Sequence, residues 1–415
     1  MRQVYLDAAA STPIDQTVLS AMLEVLQGPT ANPSSAHWAG RRAGDLVHEA
    51  RERVGALVGR APSSVIFTSG ATEANNLVLR GLRSREAARD GTRHAIVSAR
   101  TEHPSVLATL QDLAAEGATV HLVDVDQDGR VDLDQLRELV DHTTLLVSLM
   151  AANNETGVLV DLAAAGEITH SAGALFHSDA SQLLAWGPLP TDVDLDLITV
   201  SSHKMHGPQG VGALVATREA RDLLTPTATG GGQENGLRSG TVNVAGVVGL
   251  GAAAEQAINI GPGARAMVER MRDSLHAGLI RELTGSRGGA GLRQYPQLNG
   301  HAHARLPGVA NLAFGDVDAP IDAEAILAAA PTIAASTGSA CSAGMPGPSP
   351  VLMAMGCSTE RAESSIRFSL SRLTAPADVD EGILAIAAAV DHVTSAAASS
   401  RPPVPGRSAE SVGRA

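Results

Sequence analysis

Cysteine is scarce in this chain: 415 residues contain two, Cys341 and Cys357. So few thiols exclude a disulfide scaffold and fit a reducing compartment, so a cytoplasmic location is expected. Long hydrophobic runs are lacking as well. No stretch approaches the roughly 18 apolar residues of a membrane-spanning helix. The opening MRQVYLDAAASTP, with Asp7 early in it, has no signal-peptide core. Excess positive charge is also missing. The 31 basic and 44 acidic side chains leave a net charge of −13, which provides no attraction to nucleic acid or an anionic membrane. Lysine is the scarcest charged residue: 30 of the 31 basic side chains are Arg, and Lys204 is the one Lys. A GC-rich coding sequence can leave one Lys by chance. Alternatively, the position requires an amine, because a partly desolvated Lys can form an imine and an Arg cannot.

What is present points to a folded protein. A hydrophobic content of 44% is enough for a buried core and rules out a mostly disordered chain. The length suits two or three domains, or a large α/β domain with a smaller one. Short aliphatic or β-branched runs at 65–68, 94–98, 119–123, 145–150, 174–177, 197–200 and 211–215 read as strands. Helical patterns lie between several of them, such as 105–116 and 133–140. This rhythm predicts a mostly parallel sheet covered by helices on both faces. Beyond about residue 250 two helical segments, 251–257 and 264–283, flank Gly261-Pro262-Gly263. A glycine-rich stretch at 285–291 reads as a surface loop. Residues 300–395 read as a smaller α+β domain, and residues 397–415 as a disordered tail. No internal repeat is visible.

Polar clusters follow successive strands. Lys204, in SSHKMHGPQG, lies just beyond the run at 197–200, where open α/β sheets place their sites. Asp179, in HSDASQ, follows another strand. It can be an ion-pair partner, or the acid that keeps a pyridine nitrogen protonated beside an imine-forming Lys. FTSGATEANN carries small residues into a helix start, which suits a phosphate, although many such junctions are only turns. His103, in TEHP, can cap a helix or stack on a flat ring. Asn153 and Asn154 open NNETG, a turn-forming pair. Cys341 lies in SACSAG, a stretch with little to bury, which reads as a mobile loop. Cys357, in AMGCSTE, reads as a helix-end or turn residue. Arg367, in SSIRFSL, can be a strand salt bridge.

Taken together and in order, these segments resemble one family: the pyridoxal-phosphate-dependent cysteine desulfurases of aminotransferase class V. The resemblance spans about residues 3–390. Its motifs are YLDAAASTP, ANPSS, FTSGATEANN, TEH, NNETG, SDASQ, SSHKMHGPQG, GGGQENGLRSGT, STGSACS and SSIRFSL. It implies an aspartate-aminotransferase-type (fold type I) α/β architecture. The large domain is expected at 15–260, and the small domain at 1–14 and 261–396, with the catalytic cysteine loop.

It also implies roles. Lys204 binds pyridoxal 5′-phosphate covalently and is the expected base at the substrate Cα. His103 stacks on the ring, Asp179 pairs with its nitrogen, and Gln182 bonds its phenolic oxygen. Ala71, Thr72, Ser201 and His203 hold the phosphate. Thr241 reaches the phosphate of the other subunit in a homodimer. Asn154 contacts the cofactor and, with Arg367, binds the carboxylate of L-cysteine. Cys341 accepts the sulfur as a persulfide and passes it to an acceptor protein. That acceptor can serve iron–sulfur cluster assembly, thiolated tRNA or cofactor synthesis, or a specialised pathway. No metal-ligand set is expected. One departure from the family is Ala8 after Asp7, where Tyr is frequent. The cysteine loop is about one residue longer than in short members, and the region 149–154 and PSPVLMAMG are similar to selenocysteine lyases. Selenocysteine lyase is therefore the alternative activity, followed by another class V aminotransferase or lyase. A non-catalytic scaffold is disfavoured by the intact Lys204, His103, Asp179 and Arg367.

Overall fold

The computed structural model describes residues 2–29, 31–87, 91–285, 296–316, 319–337 and 347–399. Strand β1 (Val4–Tyr5) belongs to the smaller layer described below. The main sheet is built from β2 (Val65–Thr68), β3 (Ala95–Ala99), β4 (Thr119–Val123), β5 (Thr144–Ser148), β6 (Leu175–Asp179), β7 (Leu197–Ser201) and β8 (Gly212–Ala216). Their spatial order is β2-β8-β7-β6-β5-β3-β4. The strand β8 runs antiparallel to both its neighbours, and every other adjacent pair is parallel. The mostly parallel sheet expected from the sequence is therefore the sheet observed.

Alternation along each strand sends side chains to opposite faces. Val65 and Phe67 join one hydrophobic cluster while Ile66 joins another. Val97 and Ile96, and Val215 and Leu214, divide in the same way. Helices supply much of the rest of both clusters. Ala71–Ala87 and Pro104–Ala115 cover one face. Trp38–Leu57 and Val244–Ile258 pack against the other. The helix Val244–Ile258 is apolar nearly all round and buried along most of its length, as a helix inside a core should be. A Cβ at Gly251 would stand 2.8 Å from the Ala50 Cα, so glycine sets how closely these two helices approach. Among the described residues no single helix is long and apolar enough to cross a membrane.

A third cluster lies apart from the main sheet. There an antiparallel sheet of order β14-β15-β10-β9 is formed by β9 (Gln297–Asn299), β10 (Val309–Ala313), β14 (Ser336–Thr337) and β15 (Ser365–Ser369). A short pair, β11 (Gly315–Asp316) and β12 (Ala319–Pro320), extends from it, and β13 (Ile333–Ala334) pairs in parallel with β1. The helices Pro262–Gly285 and Pro376–Ser399 cover this layer. Leu6 from the N-terminus packs in the same cluster as Leu275 and Ile383, so both ends of the chain share one core.

Differences from the sequence reading lie at boundaries. The helix read over 251–257 begins at Val244, because Asn243 accepts from the Gly246 N–H and starts it earlier. Residues 397–399, read as tail, complete the helix Pro376–Ser399. In the stretch read as a loop at 285–291, Gly285 ends a helix and the rest lies outside the described residues.

Candidate active site

The ends of β2, β3, β5, β6 and β7 open onto one cavity of about 530 Å³. Its walls include Ala71, Thr72, His103, Asn154, Asp179, Gln182, Ser201, His203 and Lys204. Lys204 arrives there because β7 ends at Ser201 and the chain turns once through Ser202–Lys204. Its Nζ donates to the carbonyls of Ala9 and Ala10, at 2.6 and 2.8 Å. The Gln182 Nε2 donates to the same Ala9 oxygen at 2.9 Å. The opening motif thus forms one wall of the site, supported by backbone bonds from Thr12 to His203 and from Asp15 to His206.

Asp179 ends β6 and is buried. Its Oδ1 accepts from the Ser181 N–H at 3.0 Å and its Oδ2 from the Asn75 Nδ2 at 2.8 Å. Asn75 also donates to the Ser105 Oγ at 2.9 Å. The His103 Nδ1 accepts from the Ser105 N–H at 3.1 Å, capping the helix Pro104–Ala115, and lies 2.8 Å from the Ser105 Oγ. His103 is therefore both the helix cap and a wall of the cavity. The network assigns its neutral proton to Nε2. Burial lowers the His103 pKa, Asp179 opposes that shift, and Lys204 adds to it. Its neighbour Glu102 accepts from the Met150 N–H at 2.7 Å and is held protonated well above the usual carboxylate range by burial, with Asp179 adding to the effect.

Another part of the cavity wall suits an anion. Ser69 and Gly70 lead into the helix Ala71–Ala87, whose N-terminus carries backbone donors and partial positive charge. A Cβ at Gly212 would stand 2.8 Å from the Gly70 backbone, so a glycine is needed for β8 to pass this loop. The Ser201 Oγ is buried against the cavity without a hydrogen-bond partner. A buried orphan hydroxyl is an uncommon cost that a bound acceptor would remove. His203 lies beside it with its Nδ1 3.2 Å from the Ser11 Oγ. Burial, then Lys204 and His103, push its pKa down to about 4, so it offers a neutral imidazole at neutral pH. A phosphate with a flat ring toward Asp179 fits this donor set, and Lys204 is the amine beside it.

The substrate-side residues are arranged less directly. Arg367 is almost fully buried on β15. Its Nη1 donates to the Asn154 carbonyl at 2.9 Å and its Nη2 to the Asp7 Oδ1 at 2.8 Å. Asp7 also accepts from the Ser336 Oγ at 2.8 Å. Arg367 thus borders the site through Asn154 and is not among the residues lining the cavity. Thr241 is exposed and lines a different pocket, with Leu26, Arg42 and Asn243. Within this single chain it does not join Lys204. Cys341 lies outside the described residues. Cys357 is half-buried in a separate polar cavity with Arg361 and Glu360, and burial raises its thiol pKa against the pull of Arg361.

Sequence reasoning passed over three groups that the fold brings into play: Asp7, Asn75 and Glu234. Glu234 is buried, pairs with Arg51 and accepts from the Phe67 N–H at 2.8 Å. It ties the loop that leads to Thr241 onto β2. All three lie inside motifs already singled out. The available signal was an acidic or amide residue within an otherwise small-residue motif.

The chain as a whole is similar to known proteins of one family. The profile of the family described as "Aminotransferase class-V" matches residues 4–381. The chain belongs to this family. It is 42% identical over 381 residues to "Cysteine desulfurase IscS" of Anaeromyxobacter sp. (strain Fw109-5), covering 91% of this chain and 90% of that one. It is 40% identical over 407 residues to "Cysteine desulfurase" of Frankia sp. (strain EuIK1), covering 94% and 92%. Among solved structures, "NIFS-LIKE PROTEIN" superposes with a TM-score of 0.84 at 31% identity, covering 94% of this chain and 100% of that one. Members of this class V family depend on pyridoxal phosphate.

Proposed function

We propose that this chain is a cysteine desulfurase that converts L-cysteine to L-alanine and holds the sulfur on Cys341 as a persulfide. The observation that carries this reading is the position of the one lysine. Lys204 stands in a cavity whose walls include an anion cradle and a buried carboxylate, Asp179. In this reading the protein acts in the cytoplasm as a homodimer, with Thr241 completing the partner subunit's cradle. An acceptor protein takes the sulfur onward.

Pyridoxal 5′-phosphate, when bound, supplies an electron sink for proton loss from the substrate Cα. The Ala71 and Thr72 end of the helix, with Ser201 and His203, would hold its phosphate. Asp179 would hold its ring nitrogen, Gln182 its phenolic oxygen, and His103 one ring face. Lys204 would bind it and, once released by the substrate amine, take the Cα proton at Nζ. Asn154 would orient the substrate carboxylate, and Arg367, bonded to the Asn154 carbonyl, would supply the positive charge behind it. The Cys341 thiolate attacks the substrate sulfur. A sulfur–sulfur bond forms and the Cβ–S bond breaks. Its electron pair stays on Cβ, which takes up the proton given off by the substrate thiol, Lys204 returns the Cα proton, and the product leaves as alanine.

The test is turnover of L-cysteine and, separately, L-selenocysteine by the holoenzyme without reductant. Alanine formed with one added sulfur on the Cys341 peptide supports the reading. Turnover of L-selenocysteine alone would replace it with the lyase alternative.

A further inference from the structure

One loop grips the anion cradle on both sides. Before the cradle, the Glu234 carboxylate accepts from the Phe67 N–H on β2 and pairs with Arg51. After it, the Arg238 Nε donates to the Glu73 Oε1 at 3.1 Å, in the first turn of the helix Ala71–Ala87. Between these two points lie Ser69, Gly70, Ala71 and Thr72, all on the cavity wall. The loop is itself constrained. Glu234, Asn235 and Gly236 have φ values of 49°, 57° and 82°, a left-handed run that the two non-glycine residues adopt at a cost. The bonds of the Glu234 side chain to β2 and Arg51 hold this run in place.

Glu73 is an acid on a wall that suits an anion. It lines the cavity, and its Oε2 accepts from the Ser69 N–H at 2.6 Å, so it takes one backbone donor of the cradle. An unpaired carboxylate there would repel a phosphate. Burial raises the Glu73 pKa, but the Ser69 bonds and the Arg238 charge outweigh it and hold the carboxyl below its ordinary value. Glu73 is therefore ionised at neutral pH, with Arg238 as its counter-charge. The Arg238 and Glu73 side chains are 26% and 22% exposed, so water and salt screen the pair only in part.

We propose that Arg238 is a positioning residue for phosphate binding: through Glu73 it fixes the turn 69–72 and cancels the negative charge that Glu73 brings to the cradle. The inference rests on the proposed function for the cofactor alone, and on the contacts of Glu73 for its geometry. It does not involve the sulfur chemistry.

The test uses Arg238→Gln, Glu73→Gln and the double variant, each as the full chain. Cofactor is removed with hydroxylamine and titrated back as pyridoxal 5′-phosphate or as pyridoxal, followed by visible absorbance. The two ligands share the ring and the aldehyde, so the ratio of their dissociation constants reports the phosphate. Glu73→Gln keeps an acceptor for the Ser69 N–H and removes the charge. Arg238→Gln should weaken pyridoxal phosphate about tenfold, as an unpaired charge at close range does, and leave pyridoxal within about twofold. Glu73→Gln should bind pyridoxal phosphate at least as tightly as wild type, and the double variant should recover most of the loss. Equal weakening of both ligands by Arg238→Gln overturns the proposal, because it would mean a general loss of site structure. An unchanged ratio, or a double variant no better than Arg238→Gln, overturns it too. A wild type with no preference for pyridoxal phosphate over pyridoxal overturns the cradle and the proposal together. If wild type binds pyridoxal phosphate but forms no persulfide from L-cysteine, the desulfurase reading fails, and the ratio still decides the role of Arg238.

Discussion

The Arg367 Nη2 and the Asp7 Oδ1 form a 2.8 Å ion pair between β15 and the opening motif. The Arg367 side chain is 2% exposed, so its charge depends on nearby acceptors rather than on water. Removing one partner of a buried pair leaves an uncompensated charge, at a typical cost of about 3 kcal/mol or more. Asp7→Ala should lower the urea midpoint accordingly at neutral pH and weaken L-cysteine binding through Arg367. An unchanged midpoint would show that the pair contributes nothing to stability.

Asn75 links Asp179 to Ser105 and so to His103. Asn75→Ala should leave the cofactor bound but slow exchange of the substrate Cα proton, measured by NMR in deuterated water, about tenfold. Asp179→Ala should slow it further. Wild-type exchange in the Asp179 variant would reduce that carboxylate to a structural role.

Glu155 sets a pH dependence of stability. Burial raises its pKa from 4.5 to about 7, against the lowering effects of the Ser349 hydrogen bond and the Arg367 charge. A carboxyl raised on folding binds a proton in the native state where the unfolded chain has lost it. Its contribution is therefore complete below about pH 4.5 and is lost as pH rises through about 7. Glu155→Gln should flatten this decline, of up to about 3 kcal/mol, in melting curves between pH 5 and pH 8. A variant with the wild-type slope would assign the decline to other groups.

The two cysteines should separate cleanly. Cys341→Ala should keep the visible cofactor absorbance and still bind L-cysteine, but fail to transfer sulfur. Cys357→Ala should behave like wild type, because Cys357 lies in a different cavity and burial disfavours its thiolate. An added sulfur found by mass on the Cys357 peptide would reverse the assignment.

Lys204→Ala should lose absorbance and turnover together, and borohydride should fix the cofactor to the Lys204 peptide of wild type. If Thr241 completes the partner's site, mixing Lys204→Ala with Thr241→Ala chains should restore part of the activity. No recovery despite proven subunit exchange would place Thr241 outside the site.

Much of the architecture was legible because strand positions depend on local pattern. Short apolar runs at 65–68, 119–123 and 197–200 become β2, β4 and β7 with boundaries shifted by a residue at most. The lone lysine and the acid that ends β6 also stood out, since residue type and a strand end are both sequence properties. Helix starts were less legible: Val244 was missed because Asn243 caps it by a side-chain bond rather than through an apolar period. Only the tertiary structure could pair Arg367 with Asp7, Asn75 with Asp179, and Glu155 with Ser349. These partners lie 104 to 360 residues apart, and no local periodicity encodes which buried polar atoms will meet. Burial decides it, because each polar atom removed from water must find a partner among the groups that packing places beside it.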